Sequence, residues 1–239
     1  MQDLPLNLSR ILAHGSSTFG TTKVITWEQG VAVESTFASI ATRAAAFAHA
    51  LHDELGVTAD QRVASFMYNC SEHLEVLFAT ACKGAVFTPL NKQLMKDQIA
   101  HIINHSETEV IVADPRLAEQ LATILALDCP TVRAVVFLGE ASVTTPTTPL
   151  PTTIAVYSYE ALLDGRSTIY HWPTLPENTA AALCYSTGTT GAPKGVAYSH
   201  RSLYLQSLSL CTTDSLAISY GHSFLCCVPI FHVLSWGVP

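Results

Sequence analysis

The chain has 239 residues, of which 49% are hydrophobic and 13% are charged, and its formal net charge is −7. This composition argues against a disordered or fibrous protein and predicts a globular body that folds as one domain. No basic run is longer than His200-Arg201, so the sequence provides no positively charged surface for nucleic acid and we expect no such partner.

The first half of the chain alternates between helical and strand patterns. Apolar residues recur at three- and four-residue steps over residues 35–55, which predicts an amphipathic helix capped by Ser35 or Thr36 and ended by Gly56. A short apolar run at 62–67 then predicts a buried strand.

The same alternation continues downstream. We predict helices at 71–84, 94–105 and 114–127, and strands at 85–90, 110–113 and 134–138. Strands that alternate with helices imply an α/β fold with layered, mixed and mainly parallel sheets flanked by helices. His101 and His105 lie one helical turn apart, but no third ligand accompanies them, so we interpret them as surface residues and predict no metal site.

The middle of the chain is irregular. Residues 141–153 are rich in threonine and proline and have no periodicity, which is typical of an exposed loop. Prolines keep residues 170–179 irregular as well, so we place a subdomain boundary within 141–178. An apolar run at 180–185 follows and predicts a buried strand that leads directly into a polar turn.

The seven cysteines lie mostly within apolar stretches and form no Cys-x-x-Cys pair, which is typical of reduced core residues. Cys226 and Cys227 are adjacent, and their apolar neighbours favour a buried strand over 224–228, with a redox-active pair as the alternative. Residues 1–15 carry no signal-peptide pattern, and no apolar run reaches the roughly 18 residues of a membrane span. We therefore expect a cytoplasmic protein.

The turn after the strand at 180–185 concentrates hydroxyl groups, glycines and a lysine. It reads Tyr185-Ser186-Thr187-Gly188-Thr189-Thr190-Gly191-Ala192-Pro193-Lys194-Gly195. Glycines let backbone amides approach an anion, hydroxyls donate to phosphate oxygens or bind Mg²⁺, and the lysine supplies a positive charge. This composition predicts a site for a polyphosphate.

Two common nucleotide motifs do not describe this turn. A Walker A loop requires Gly-Lys-Ser/Thr leading into a helix, whereas Lys194 stands between Pro193 and Gly195. The glycines also do not follow the Gly-x-Gly-x-x-Gly spacing of dinucleotide-binding folds. Clusters of small polar residues are often plain loops, but the ordered Gly-Thr-Thr-Gly-x-Pro-Lys-Gly string favours a binding function over that interpretation.

This string resembles the phosphate-loop signature of the acyl-adenylate-forming superfamily, which includes acyl-CoA synthetases, peptide-synthetase adenylation domains and beetle luciferases. The strand-helix-strand block from Gly56 to Asn91 and the Ser199-His200-Arg201 segment are similar to the same family in order and spacing. The segment Pro229-Ile230-Phe231-His232-Val233-Leu234-Ser235-Trp236-Gly237 resembles the Pro-x-Phe-His-x-x-x-Trp pattern of fatty-acyl-CoA ligases. The resemblance covers nearly the whole chain.

The resemblance also implies roles for individual residues. The β- and γ-phosphates of ATP would be bound by the phosphate loop through Ser186, Thr187, Gly188, Thr189, Thr190 and Gly191, with Lys194 as a mobile charge. Lys194, Thr189 and His232 would be catalytic. His232 would border the carboxylate, and Trp236 would stand at the mouth of the fatty-acid tunnel, although by spacing alone this His-aromatic pair indicates plain core.

What the resemblance implies about activity is a two-step reaction. A fatty acid of medium or long chain and ATP, with Mg²⁺, would give acyl-AMP, and CoA would then give the acyl-CoA thioester. Fatty acid, ATP and CoA are the expected partners, while a homodimer and peripheral contact with a membrane stay open.

Residues 1–239 would form the N-terminal part of an AMP-binding (adenylation) domain in this family. The segments that contact adenine and ribose, and the C-terminal lobe, are expected beyond Pro239. An alternative therefore stays open, in which the chain is a truncated, non-catalytic fragment that acts as a binding or oligomerising module.

Overall fold

The computed structural model describes residues 4–28, 30–139, 146–186 and 192–237, with the backbone alone at Trp236. Within these ranges the elements follow in the order α1 (Leu8–Thr18), β1 (Lys23–Glu28), β2 (Val31–Thr36), α2 (Phe37–Asp53), β3 (Arg62–Phe66), α3 (Ser71–Lys83), β4 (Val86–Pro89), α4 (Lys96–His105), β5 (Thr108–Ala113), a short 3-10 helix (Pro115–Leu117), α5 (Ala118–Leu125), β6 (Ala134–Phe137), β7 (Ala155–Ser158), α6 (Tyr159–Leu163), β8 (Ala180–Ser186), β9 (Lys194–Ser199), α7 (His200–Leu210) and a second 3-10 helix (Val233–Gly237).

One sheet organises the molecule. Its described strands lie in the order β7-β6-β5-β3-β4-β8-β9, and every neighbouring pair from β7 to β8 is parallel. The edge strand β9 runs antiparallel to β8, and β1 and β2 form a separate antiparallel hairpin. The predicted α/β fold, with a mainly parallel sheet flanked by helices, is confirmed.

Helices cover both faces of this sheet, and alternate residues of the central strands supply two cores. On β5, Val110 and Val112 belong to a core built with α1, α2, α3 and α6, whereas Ile111 and Ala113 belong to a core built with α4 and α5. All four side chains are fully buried. A parallel sheet covered on both faces requires apolar residues at every position, which explains why these strands occur as continuous apolar runs in the sequence.

The predicted helix boundaries depend on local capping. The Thr36 hydroxyl accepts a hydrogen bond from the backbone N–H of Ser39 at 3.1 Å and begins α2, as its sequence position predicts. At the end of α3, Gly84 has a φ of +97°, and an added Cβ would lie 3.0 Å from a methyl group of Leu175. Both the left-handed conformation and the limited space require glycine at this end.

The predicted buried strand over 224–228 is wrong. These residues have no regular secondary structure and pair with no described strand, and the side chains of Phe224 and Leu225 are 51% and 81% exposed. The carbonyls of Cys226 and Val228 accept hydrogen bonds from the Asn69 side chain at 3.1 and 3.0 Å instead. Apolar composition was insufficient here because a strand also needs a neighbouring backbone to pair with.

The cysteines are less uniform than predicted. Cys82, Cys129 and Cys184 are buried in the cores, but Cys211 and Cys227 are exposed, so the interpretation as core residues is wrong for these two. His105 is exposed as predicted, while His101 is half-buried. Among the described residues, no group of three or more His, Cys, Asp or Glu side chains is arranged to hold a metal ion.

Two hydrogen bonds hold the start of the first helix in place. Backbone N–H groups near the start of α1 donate to Glu177 (Leu6, 2.8 Å) and to His200 (Leu8, 3.3 Å), which joins the first helix to the region around β8 and α7.

None of the helices in the described ranges is both long enough and apolar enough to cross a membrane. The subdomain boundary within 141–178 stays a prediction.

The strand order creates one crevice at the carboxyl edge of the sheet. The chain leaves β3 towards β4 on one side, but it leaves β5 towards β6 on the opposite side. The loops that follow these two adjacent strands therefore diverge, and open α/β sheets bind ligands at such a switch point. Tyr68 and Asn69 follow β3 at this place, and Arg116 follows β5.

Candidate functional site

The hairpin of β8 and β9 supports the polar segment that the sequence singles out. Ser186 is the last residue of β8 and lies opposite Lys194, the first residue of β9. Residues 187–193 thus connect two directly paired positions at the carboxyl end of a parallel-sheet strand. The predicted phosphate contacts of Thr187, Gly188, Thr189, Thr190 and Gly191 lie outside the described residues.

Ser186 and Lys194 are both exposed. No carboxylate in the described part of the chain lies within 4.0 Å of the Lys194 ammonium group, since none of the ion pairs there includes it. Lys194 has no counter-ion among the described residues and pairs with Ser186 in the hairpin, so this position has the chemistry to interact with an external anion.

Side-chain packing explains why a glycine, Gly195, follows Lys194. A Cβ at this position would lie 3.1 Å from Leu183 Cδ1 and 3.2 Å from Tyr185 Cζ, because both side chains cover the glycine across the hairpin. The Tyr185 hydroxyl in turn lies 2.7 Å from His105 Nδ1 on α4. The glycine therefore lets Tyr185 fold over β9, and this contact ties the start of the polar segment to α4.

The segment at 229–237 carries the other predicted site residues. His232 is exposed, and its backbone N–H donates to the Pro229 carbonyl at 2.9 Å in a tight turn. Val233, Leu234 and Ser235 follow with φ values of 51°, 51° and 50°, a left-handed conformation that non-glycine residues rarely adopt. The Trp236 side chain lies outside the described residues, so its predicted role is untouched by the structure.

Asn69 anchors this segment to the end of β3. Its amide nitrogen donates to the carbonyls of Cys226 and Val228, and its amide oxygen accepts from the backbone N–H of Ile230 at 2.9 Å. Ile230 and Phe231 are buried beside it, at 2% and 6% exposure. One side chain thus positions the backbone that presents His232 near the carboxyl edge of the sheet.

A polar cleft of about 340 Å³ occupies the switch point itself. It is lined by the segments that follow three parallel strands, by the β1–β2 hairpin and by the segment anchored to Asn69. The lining residues are Thr26, Trp27, Glu28, Tyr68, Asn69, Lys92, Arg116, Cys226, Cys227, Pro229 and Phe231.

Two cations surround one aromatic ring in this cleft. Lys92 Nζ lies 4.0 Å and the Arg116 guanidinium carbon lies 4.7 Å from the centroid of the Tyr68 ring. Asp114 and Glu28 form ion pairs with Arg116, whereas no carboxylate of the described chain is within ion-pair distance of Lys92. Burial lowers the pKa of Lys92; Asp114 opposes this shift and Arg116 adds to it. Within the described residues, Lys92 is thus a partly desolvated cation with no direct counter-ion.

Neither Lys92 nor Arg116 is among the residues that the sequence predicts for a site. Both lie within a few residues after a predicted strand. That position could have indicated a site, because ligands in parallel sheets bind beyond the carboxyl ends of strands. What the sequence does not reveal is that β5 and β4 flank β3, which brings the two cations together.

These features define an α/β protein with a candidate anion site at the carboxyl edge of a mainly parallel sheet. The comparisons with known proteins specify the family. The chain belongs to the AMP-binding enzyme family, whose model matches residues 17–238. The resemblance recognised in the phosphate loop is therefore confirmed.

Individual relatives agree with this assignment. A medium-chain-fatty-acid–CoA ligase of Ectopseudomonas oleovorans is 35% identical over 235 residues, which cover 98% of this chain and 42% of that protein. A long-chain-fatty-acid–CoA ligase of Thermus thermophilus is 35% identical over 240 residues, covering 100% of this chain and 42% of that protein. The chain thus spans less than half the length of these relatives.

The fold is shared with a solved structure. The N-terminal domain of FACL13 from Mycobacterium tuberculosis, in an inhibitor-bound crystal structure, superposes with a TM-score of 0.80 at 23% identity. The match covers 97% of this chain and 53% of that chain. It shows a common architecture for the described sheet and its helices.

Proposed function

We propose that the chain is the N-terminal part of an AMP-forming ligase that activates a fatty acid of medium or long chain through acyl-AMP to acyl-CoA. The observation that carries this proposal is the β8–β9 hairpin, in which Ser186 pairs with Lys194 across a segment of glycines and hydroxyls. Membership of the AMP-binding family and the fatty-acid ligases among the relatives support the same reaction class.

The first half of the reaction forms a mixed anhydride. A carboxylate oxygen of the fatty acid bonds to the α-phosphorus of ATP, and the bond from that phosphorus to pyrophosphate breaks. Phosphoryl chemistry of this kind needs positioned donors and charge neutralisation rather than a protein nucleophile. Ser186, the residues 187–191 and Lys194 would hold the leaving pyrophosphate, and His232 and Trp236 would border the carboxylate and its acyl chain.

In the second half the CoA sulfur attacks the acyl carbon, AMP leaves, and the thiol proton is released. CoA carries several phosphate groups, so its binding site must offer positive charge. We assign this task to the switch-point cleft, where Lys92 and Arg116 flank Tyr68. The assignment is supported by Lys92, which has no counter-ion among the described residues, and by the position of the cleft beside the segment that carries His232.

Mg²⁺ is expected from the resemblance, and it would neutralise charge on the phosphates of ATP. Among the described residues, no group of three or more His, Cys, Asp or Glu side chains lies together to hold it. The hydroxyls of Ser186, Thr187, Thr189 and Thr190 would be able to contact a metal that is bound mainly by phosphate.

Pyrophosphate release from ATP, measured with saturated acids of increasing length, tests the activity of this polypeptide. We expect release that depends on the acid, and a Lys194→Ala variant should lower it by at least about tenfold, or ~1.4 kcal/mol of transition-state stabilisation. Lys23→Ala is the matched control, because Lys23 is an exposed lysine at the start of β1 that pairs only with Glu34 in the described residues.

The two hypotheses about the chain give different results. Pyrophosphate release by the 239-residue chain would eliminate the non-catalytic fragment. Equal turnover in Lys194→Ala and Lys23→Ala would refute the phosphate role of Lys194. ATP binding without pyrophosphate release for every acid would favour the fragment alternative. The cytoplasmic location stays a prediction, while a homodimer and peripheral contact with a membrane stay open.

A further inference from the structure

The adjacent pair Cys226-Cys227 has no part in the proposed ligase chemistry, and its environment is unusual for cysteines. Both residues line the switch-point cleft. Cys227 is exposed and Cys226 is half-buried, and no strand or helix of the described chain holds them. Two neighbouring thiols thus lie at a solvent-accessible site instead of in the core.

The Cys226 thiol is part of the contacts that shape the segment carrying His232. Its Sγ lies 3.1 Å from the hydroxyl of Ser235, which is 1% exposed, and it accepts a hydrogen bond from Asn69 Nδ2 at 3.5 Å. Ser235 closes the left-handed stretch that begins at Val233. The thiol therefore joins the two ends of a short loop with His232 between them.

We propose that Cys226 and Cys227 form a reversible oxidation site whose disulfide releases the 229–237 segment from its anchored position. The oxidant is hydrogen peroxide. The exposed Cys227 sulfur attacks a peroxide oxygen, the O–O bond breaks, and a sulfenic acid and one water are formed. The Cys226 sulfur then attacks the Cys227 sulfur, the S–O bond breaks, and the hydroxyl leaves as a second water with the remaining thiol proton. Each sulfur loses one electron, and the peroxide gains both.

Such a disulfide would be strained and therefore easily reduced. Consecutive Cα atoms are about 3.8 Å apart across a trans peptide, whereas disulfides normally join Cα atoms about 4.4 to 6.8 Å apart. Strain of this kind raises the reduction potential and is typical of labile disulfides. The absence of regular secondary structure at 222–227 lets the backbone adjust locally without breaking a strand ladder.

Oxidation has a structural consequence because Cys226 Sγ has to turn towards Cys227. It then gives up its contacts with Ser235 and Asn69, and the buried Ser235 hydroxyl loses the partner that faces it. We therefore expect the backbone amides of 229–237 to exchange with solvent several-fold faster in the oxidised protein, while the amides of β3 and β5 keep their protection.

The experiment is peroxide titration of the full chain, analysed by mass spectrometry without reductant. Chymotrypsin cleaves after leucine and aromatic residues, so cleavage after Leu225 and Phe231 isolates 226–231, which contains both cysteines and excludes Cys211. We expect this peptide to lose two hydrogen atoms on oxidation and to recover them with dithiothreitol. The same result is expected in Cys211→Ser, the matched control, which removes the other exposed cysteine of the described chain.

In Cys227→Ser and in Cys226→Ser, peroxide must not remove two hydrogen atoms from the 226–231 peptide. In Cys227→Ser, peroxide must also leave amide exchange over 229–237 unchanged. Ser235→Ala should accelerate exchange in 229–237 without any oxidant, because it removes the same contact from the other side. Absence of the 226–227 disulfide, or a sulfinic acid at Cys227 as the only product, would overturn the proposal. A disulfide with unchanged exchange in 229–237 would overturn its coupling to the His232 segment.

Discussion

At the scale of single residues, Glu75 on α3 is a carboxyl group enclosed by three helices. It is 1% exposed, and it accepts hydrogen bonds from Arg43 Nε on α2 at 2.8 Å and from the Tyr159 hydroxyl on α6 at 2.9 Å. Arg43 also forms two hydrogen bonds to Glu160. Burial raises the pKa of Glu75 to about 7, although Arg43 acts in the opposite direction. We infer that burial prevails because Arg43 shares its charge with Glu160.

This raised pKa predicts how stability depends on pH. An unfolded glutamate titrates near 4.5, so between that pH and about 7 the folded state binds more protons than the unfolded state. The stabilising contribution of protonated Glu75 is therefore complete below pH 4.5 and is lost as the pH rises through about 7. Glu75→Gln has a neutral side chain of the same shape at every pH. It should therefore remove the decrease in unfolding free energy between pH 4.5 and about 7, a decrease of ~1–3 kcal/mol.

Chemical denaturation at several pH values between about 4.5 and about 8 measures this effect as the slope of the unfolding free energy. Glu34→Gln is a suitable control, because Glu34 is an exposed residue on β2 that pairs with Lys23. An identical slope in the wild-type chain and in Glu75→Gln would show that Glu75 is ionised throughout this range.

At the scale of elements, the loop after β3 holds a segment that is distant in sequence through one side chain, that of Asn69. Asn69 bonds to three backbone groups in 226–230, a part of the chain without a strand ladder of its own. Removing a partner from buried or half-buried backbone groups costs ~1–3 kcal/mol. Asn69→Ala should therefore destabilise the fold by this amount and accelerate amide exchange over 226–232. Asn69→Asp keeps the acceptor for Ile230 but loses both donated bonds, so we expect an intermediate effect.

Asn91 provides the matched control for this prediction. It follows β4 as Asn69 follows β3, but among the described residues its side-chain oxygen accepts only a local hydrogen bond, from the backbone N–H of Gln93 at 2.9 Å. Asn91→Ala should leave exchange over 226–232 unchanged. If the two alanine variants behave alike, the anchoring role of Asn69 is wrong.

How well an element can be predicted from the sequence depends on whether the residues that stabilise it are close to it in the sequence. The helix α2 carries its own cap and periodicity, and β5 and β8 are continuous apolar runs that fit a sheet covered on both faces. The segment at 224–228 has the same apolar character, but its carbonyls bond to Asn69, a residue distant in sequence. Local pattern predicts an element well only when its hydrogen-bond partners are local or belong to a regular ladder.

The candidate site likewise has one part that the sequence predicts and one part that it does not. The glycines, hydroxyls and Lys194 of the β8–β9 connection are contiguous in sequence, so the order of the amino acids is enough to indicate their chemistry. The grouping of Tyr68, Lys92 and Arg116 depends on the order β5-β3-β4, which places the segments after three separate strands at one crevice. No local pattern contains that strand order, and the cleft is therefore a property of the fold alone.

At the scale of the whole molecule, charge distribution sets the conditions for binding an anion. The net charge of −7 opposes the approach of ATP or CoA, so local cations have to supply the attraction. In the switch-point cleft Arg116 is already paired with Asp114 and Glu28, which leaves Lys92 as the cation with unsatisfied charge among the described lining residues. We therefore expect Lys92 to contribute more to the affinity for an anionic ligand than Arg116 does.

CoA titration tests this expectation, with the fluorescence of Trp27 as the signal because this residue lines the cleft and is 73% exposed. Lys92→Glu should weaken CoA binding by at least about tenfold, or ~1.4 kcal/mol, since it replaces an attractive charge with a repulsive one. Lys23→Glu makes the same change in net charge outside the cleft and should weaken binding by much less. Raising the salt concentration should reduce the difference between the two variants, because screening acts on the charge interaction alone. Equal affinities in both variants would mean that CoA binds elsewhere, or that the overall charge of the protein, and not the cleft, controls the interaction.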